Sequence, residues 1–128
     1  MYNPNFDIDL SWGQVYEEKI KTLLESKGKI EVKTERDIWA TTGNIAIEYE
    51  CRGKKSGIAV TKADWWFHVL TLDDIMVGMV SFPVPRLKML MRAMYDQGIA
   101  KKVNGGDDNA SKMLLLPLKE LYSKQFYK

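Results

Sequence analysis

Glu48 and Glu50 stand two residues apart in the segment Ile45-Ala46-Ile47-Glu48-Tyr49-Glu50. A strand alternates its side chains, so this spacing predicts both carboxylates on the face opposite Ile45, Ile47 and Tyr49. Two carboxylates on one strand face repel unless they are solvated or share a cation. Asp37, across a turn at 41–44, would bring a third carboxylate to the same end of the hairpin. Three such oxygen donors suit Mg²⁺, which binds one or two carboxylates together with water and substrate phosphate. A bound ion of that kind lowers the pKa of a water and neutralises charge on a scissile phosphate. A solvated strand face has the same spacing.

Glu17 adds a fourth acid. It precedes Ile20 and Leu24 on a helical stripe that also holds Tyr16, so it is expected on or beside the apolar face, where an acid needs a partner. A first-turn acid favoured by the helix dipole is the competing reading. Downstream, Lys54, Lys55 and Lys62 lie among Ser56, Gly57 and Thr61. Lysine charge with small hydroxyl and glycine positions suits contact with a phosphate backbone, and Lys62 is placed to stabilise charge at a metal site. A solvated basic loop has the same composition. His68, inside Trp65-Trp66-Phe67-His68-Val69-Leu70, reads as a packed strand histidine. With no second histidine, a Cys/His hydrolase finds little support. The GKS/T and GxGxxG phosphate-binding patterns are absent, Gly105-Gly106-Asp107 included.

These residues need a scaffold, and the chain has 128 residues, 45% apolar and 28% charged, as expected of one globular domain. The single Cys51 excludes an internal disulfide and a cysteine-rich zinc site. No apolar run reaches membrane-spanning length, and the first residues are neither basic nor apolar enough for a signal peptide. A soluble cytoplasmic protein is expected. Net charge is +2, but it is unevenly spread: residues 1–50 carry ten acids and six bases, and residues 86–128 carry nine bases and four acids. An acidic cluster followed by basic stretches is what a metal site beside a polyanion track needs.

The patterning predicts a helix at 12–27 capped by Ser11, strands at 29–34, 37–40 and 45–50, and a helical turn at 62–64. Strands at 65–71 and 75–82 come next, then a helix at 86–97, strands at 99–103 and 112–116, and a last helix at 118–126. The order αβββ(α)ββαβα makes an α/β or α+β domain with a mixed central sheet flanked by helices.

An acid on the first helix, then Asp37, then Glu48-Tyr49-Glu50 on a following strand resembles the PD-(D/E)XK nuclease superfamily. Gly13-x-x-x-Glu17, Glu35-Arg36-Asp37, Thr42-Gly43-Asn44-x-x-x-Glu48, Ser56-Gly57 and Thr61-Lys62-Ala63-Asp64 are similar to small phage and Holliday-junction-resolvase-type members. The resemblance covers about residues 11–71 and implies a restriction-endonuclease-like fold. It implies that Asp37 and Glu48 hold Mg²⁺ or Mn²⁺, that Glu17 completes the shell, and that Glu50 orients the attacking water. Glu50 stands where the family usually has lysine, and Lys62 or Lys33 would supply the missing charge. Lys54, Lys55, Ser56, Thr61 and Lys62 would contact DNA.

The resulting expectation is a metal-dependent nuclease acting on DNA, of phage or recombination and repair type and in host cytoplasm if viral. The alternative is a non-catalytic nucleic-acid-binding module on the same fold. A third reading is an interaction protein using its Met-rich stretch 76–94. A homodimer is compatible with all three.

Overall fold

A computed structural model describes the backbone of residues 4–127 and the side chains of residues 11–127. The chain is a mixed α+β protein. Its elements are α1 (Pro4–Glu25), β1 (Ile30–Arg36), α2 (Ile38–Thr42), β2 (Asn44–Cys51) and β3 (Lys54–Lys55). They continue with β4 (Trp65–Leu72), β5 (Ile75–Pro83), α3 (Val84–Asp96), β6 (Lys101–Gly105) and β7 (Ser111–Pro117).

The strands form two sheets where the sequence predicts a single central one. One has the order β1-β4-β5, with β1 parallel and β5 antiparallel to β4. The other is antiparallel throughout, in the order β3-β2-β7-β6. The division arises at β2. Its one edge is taken by β7, but its other edge pairs with β3 only at Glu50 and Cys51, which leaves the first half of that edge open.

The core lies between the inner sheet faces and α3. Ile45 and Ile47 face inward from β2, opposite Leu116 and Leu114 of β7, and all four are buried. Trp66, Leu70 and Phe82 come from the other sheet. Helix α3 begins among Pro83 and Pro85, whose fixed φ suits a first turn. Its Val84, Leu87, Leu90, Met91 and Met94 recur at helical spacing and are buried. Fully burying such a side chain contributes about 1.5–3 kcal/mol, so this stripe fixes α3 on the sheets.

Three expected elements differ. Residues 37–40 do not form a strand; α2 occupies the stretch, ended by Gly43 at φ 75° and held by the Trp39 indole N–H donating to the Thr71 carbonyl at 2.7 Å. The helical turn comes earlier than 62–64, as a 3₁₀ turn at Gly57–Ala59. The last helix is two 3₁₀ turns, Leu118–Glu120 and Lys124–Phe126, separated by extended backbone at Ser123. Helix α1 starts before the predicted 12, and Trp12, Tyr16, Ile20 and Leu24 on it are exposed. No helix among the described residues is long and apolar enough to cross a membrane.

Candidate active site

Strand β1 carries the least expected feature. Its sequence, Ile-Glu-Val-Lys-Thr-Glu-Arg, alternates apolar and charged residues, so Ile30 and Val32 would ordinarily face the core. The register with β4 reverses this. Glu31, Lys33 and Glu35 pair with Trp66, His68 and Leu70, and paired residues share a face, so the charged residues stand on the core side while Val32 is exposed. As an edge strand, β1 has room beside it for such side chains.

Glu35 sits at the end of a short chain of hydrogen bonds. The donor-only indole N–H of Trp66 bonds His68 Nδ1 at 3.1 Å, which makes Nδ1 an acceptor and leaves the ring proton on Nε2. His68 Nε2–H then donates to Glu35 Oε1 at 3.0 Å. The histidine side chain is only 3% exposed and the ring is a neutral imidazole held between two partners. The same Glu35 oxygen accepts the Ala46 backbone N–H, which lies on the open edge of β2. Glu35 therefore joins the two sheets, and its second oxygen makes no hydrogen bond among the described residues.

A cavity of about 320 Å³ opens beside this junction, bordered by Lys33, Glu35, Ala46, Glu48, His68 and Met113 among others. Glu48 reaches it because it pairs with Met113 on the face opposite Ile47. Glu50 does not. The β2–β7 register shifts between Glu48 and Glu50, which pair with the adjacent residues Met113 and Lys112 and so fall on opposite faces. The expected pair on one face is split by this bulge. Glu50 instead bonds Lys112 at 3.1 Å, and that hydrogen bond, with the charge of Glu50, holds the Lys112 ammonium above its usual pKa.

The other sequence-predicted residues disperse. Asp37 is exposed at φ 39°, and its Oδ1 accepts the Asp73 backbone N–H at 2.9 Å, tying the end of β1 to the β4–β5 turn. It does not border the cavity. Glu17 is exposed on α1 beside Tyr16 and Ile20, on a face that packs against nothing described. Lys54 pairs with Cys51, on the face that carries Glu48, whereas Lys55 pairs with Glu50 on the reverse. The Ser56 hydroxyl is buried and unpartnered, so it offers nothing to a surface phosphate. Thr61 donates to Glu31 Oε1 at 3.3 Å, and Lys62 is exposed and away from the cavity lining. Among the described residues, no three His, Cys, Asp or Glu side chains are placed to share one ion.

Gly57 holds the Glu48 position. At φ +53° a Cβ on it would lie 2.3 Å from the Glu48 carbonyl oxygen, so only glycine lets the 3₁₀ turn press against β2 there. Of the residues at the cavity, Glu35 and His68 escape a search for acids at motif spacing. Their signal is three charged residues at alternate positions of one strand, beside an aromatic strand holding the chain's single histidine.

No family model, curated protein or solved structure matches this chain.

Proposed function

We propose that this protein is a metal-dependent nuclease that hydrolyses phosphodiester bonds in DNA, with its active site in the crevice where β1 approaches the open edge of β2. The observation that carries the reading is the inward carboxylate Glu35, fixed by His68 and Ala46 N–H, bordering one cavity with Glu48 and Lys33. Glu35 is half-buried and held in one orientation by two hydrogen bonds, on a strand face that alternation would turn outward, and functional sites are where local patterning rules break.

Two carboxylates at one cavity are the donor chemistry that Mg²⁺ or Mn²⁺ accepts, with water and phosphate oxygens completing the shell. Glu48 and the free oxygen of Glu35 would hold the ion. When bound, it would supply positive charge at the scissile phosphate and a more acidic water. The chain's own contributions are distinct. Trp66 and His68 hold Glu35 in one orientation, as partners behind a ligand do. Lys33 would supply positive charge at the cavity border, the role the resemblance left to Lys62 or Lys33. Lys54, on the Glu48 face, is suited to the DNA backbone. This arrangement keeps the resemblance to a restriction-endonuclease-like site but exchanges Asp37 for Glu35 and leaves Glu50 outside it.

The test incubates pure protein with supercoiled plasmid and linear DNA in Mg²⁺, Mn²⁺ or EDTA, beside Glu48→Gln. Metal-dependent cleavage that falls by about 100-fold or more in the variant is expected. Cleavage that survives EDTA, or that Glu48→Gln leaves unchanged, overturns the reading. The second reading, a binding module without catalysis, draws on the absence of a three-ligand cluster among the described residues. It expects salt-sensitive DNA retention with no cleavage in any metal.

A further inference from the structure

A second cavity, of about 540 Å³, lies on the same face of the β3-β2-β7-β6 sheet as Glu48. The register makes the continuity explicit. On that face Glu48 pairs with Met113 and Met113 with Val103; one step on, Ala46 pairs with Leu115 and Leu115 with Lys101; a further step brings Asn44 beside Pro117. Met113 borders the first cavity, and Leu115, Asn44 and Lys101 border the second. All these β2 and β7 residues are half-buried, while Ile45, Ile47, Leu114 and Leu116 on the reverse are sealed in the core. The two cavities are therefore neighbours on one open sheet surface.

The second cavity differs in chemistry from the first. Its border includes no acidic residue. Lys101 and Lys119 supply two exposed ammonium groups, and neither forms an ion pair among the described residues, unlike Lys29, Arg36, Arg52 and Lys112. Thr42 and Asn44 add polar groups at the rim, and the Asn44 side-chain amide makes no hydrogen bond among the described residues. Ile99 and Leu115 give an apolar wall. Two unpaired cations, an amide and an apolar wall are complementary to a phosphate with its sugar attached.

We propose that this cavity is a DNA-backbone subsite flanking the catalytic crevice, taking a phosphate between Lys101 and Lys119 with the adjoining sugar against Ile99 and Leu115. The inference rests on the nuclease reading and extends it by fixing which way the DNA runs. Four residues of β2 separate Asn44 from Glu48, a distance of about 13 Å at strand rise. That corresponds to about four base steps of duplex at 3.4 Å each. Lys54, paired at the other end of β2 and on the same face, lies on the opposite side of Glu48. The DNA path thus runs along β2 from Lys54 across Glu48 to Lys101 and Lys119.

The experiment measures binding of a fluorescent duplex of about 20 base pairs by anisotropy in EDTA, across a salt series, with plasmid cleavage in Mg²⁺ in parallel. The double variant Lys101→Gln/Lys119→Gln is compared with Lys88→Gln/Arg92→Gln, an equal charge change on α3, and circular dichroism checks that both are folded. The cavity pair is expected to weaken binding at least fivefold and to flatten the salt dependence by about 0.9 in log–log slope, the value for one phosphate no longer neutralised. Equal effects of the two pairs, or no effect of the cavity pair, overturn the subsite. If Glu48→Gln still abolishes cleavage in that case, the nuclease reading stands without it. Loss of binding in the cavity pair, with cleavage indifferent to Glu48, keeps the subsite and removes the nuclease. No binding by the unaltered protein overturns the subsite, and no binding together with no cleavage in Mg²⁺ overturns both.

Discussion

Glu35 is held by groups whose own positions are fixed. Trp66 is buried, its N–H has only His68 to satisfy it, and His68 in turn has only one proton to give. Removing the first donor changes the second. Trp66→Phe keeps an aromatic ring but deletes the indole N–H and some buried volume, leaving a buried Nδ1 without its partner. Such a change costs about 1–3 kcal/mol, so urea unfolding should report a lowered midpoint of that size. It also frees the ring to turn, so metal-dependent cleavage should fall by about 10-fold or more, as for other groups that orient a ligand. A variant that loses stability but cleaves normally would leave the chain of hydrogen bonds with a structural role only. The layout of this chain was legible in part: Glu48 lies on the face opposite Ile45 and Ile47 as its spacing implied, and His68 is buried as its aromatic strand implied. Glu35 was not, because alternation in β1 points Ile30 and Val32 inward, and only the register with β4 turns the Glu31–Lys33–Glu35 face toward the core.

At the scale of elements, the β2 bulge has the largest effect. An alternating reading of 45–50 puts Glu48 and Glu50 together, and no residue in the segment announces that Tyr49 will be left unpaired. The cause is tertiary: Tyr49 packs against the core, its carbonyl accepts the Ser56 N–H at 3.0 Å, and Gly57 presses on Glu48. Strands β4, β5 and β7 were legible as short, near-continuous apolar runs, and helix α3 because its apolar residues recur at helical spacing. The 37–40 stretch was not, since α2 exists through a left-handed Gly43 and a long-range Trp39 bond that five residues cannot signal locally. Gly57→Ala tests the bulge. The added methyl meets a backbone oxygen and a positive φ, so a loss of about 1–3 kcal/mol in denaturant unfolding is expected. Glu48 would move with its strand, and cleavage should fall in the remaining folded protein. An alanine variant as stable and active as the parent would mean the turn can shift freely.

The described residues form two sheets with a crevice holding Glu35 and Glu48 where their edges approach, a basic cavity beside it, and an α1 helix on which Trp12, Tyr16, Ile20 and Leu24 are exposed. Three groups away from the site have raised pKa values. Burial raises the Tyr122 phenol, which donates to the Ser81 carbonyl, above its ordinary value, and burial likewise raises Tyr127. Lys112 is raised by Glu50. A group whose folded pKa is raised contributes stability below its unfolded pKa and loses it as pH climbs through the folded value. All three therefore act in one direction. Thermal midpoints should decline as pH rises past about 10, the ordinary range of phenol and ammonium groups. Tyr122→Phe, which removes one titrating phenol, should lessen that decline; an unchanged or steeper alkaline fall would contradict the assignment.

The proposed placement of the active site stands or falls on which carboxylates are catalytic: Glu35 and Glu48 across the sheet junction, and not Asp37 with Glu48 as motif order implies. Plasmid cleavage in Mg²⁺ by Glu35→Gln and Asp37→Asn, side by side and each checked for folding, decides it. Gln at position 35 keeps an oxygen for His68 and Ala46 but removes the charge, so cleavage should drop about 100-fold or more. Asp37→Asn retains an acceptor for the Asp73 N–H and should cleave within a few-fold of the parent. Normal cleavage by Glu35→Gln together with loss in Asp37→Asn would contradict this pairing and move the metal to the end of β1.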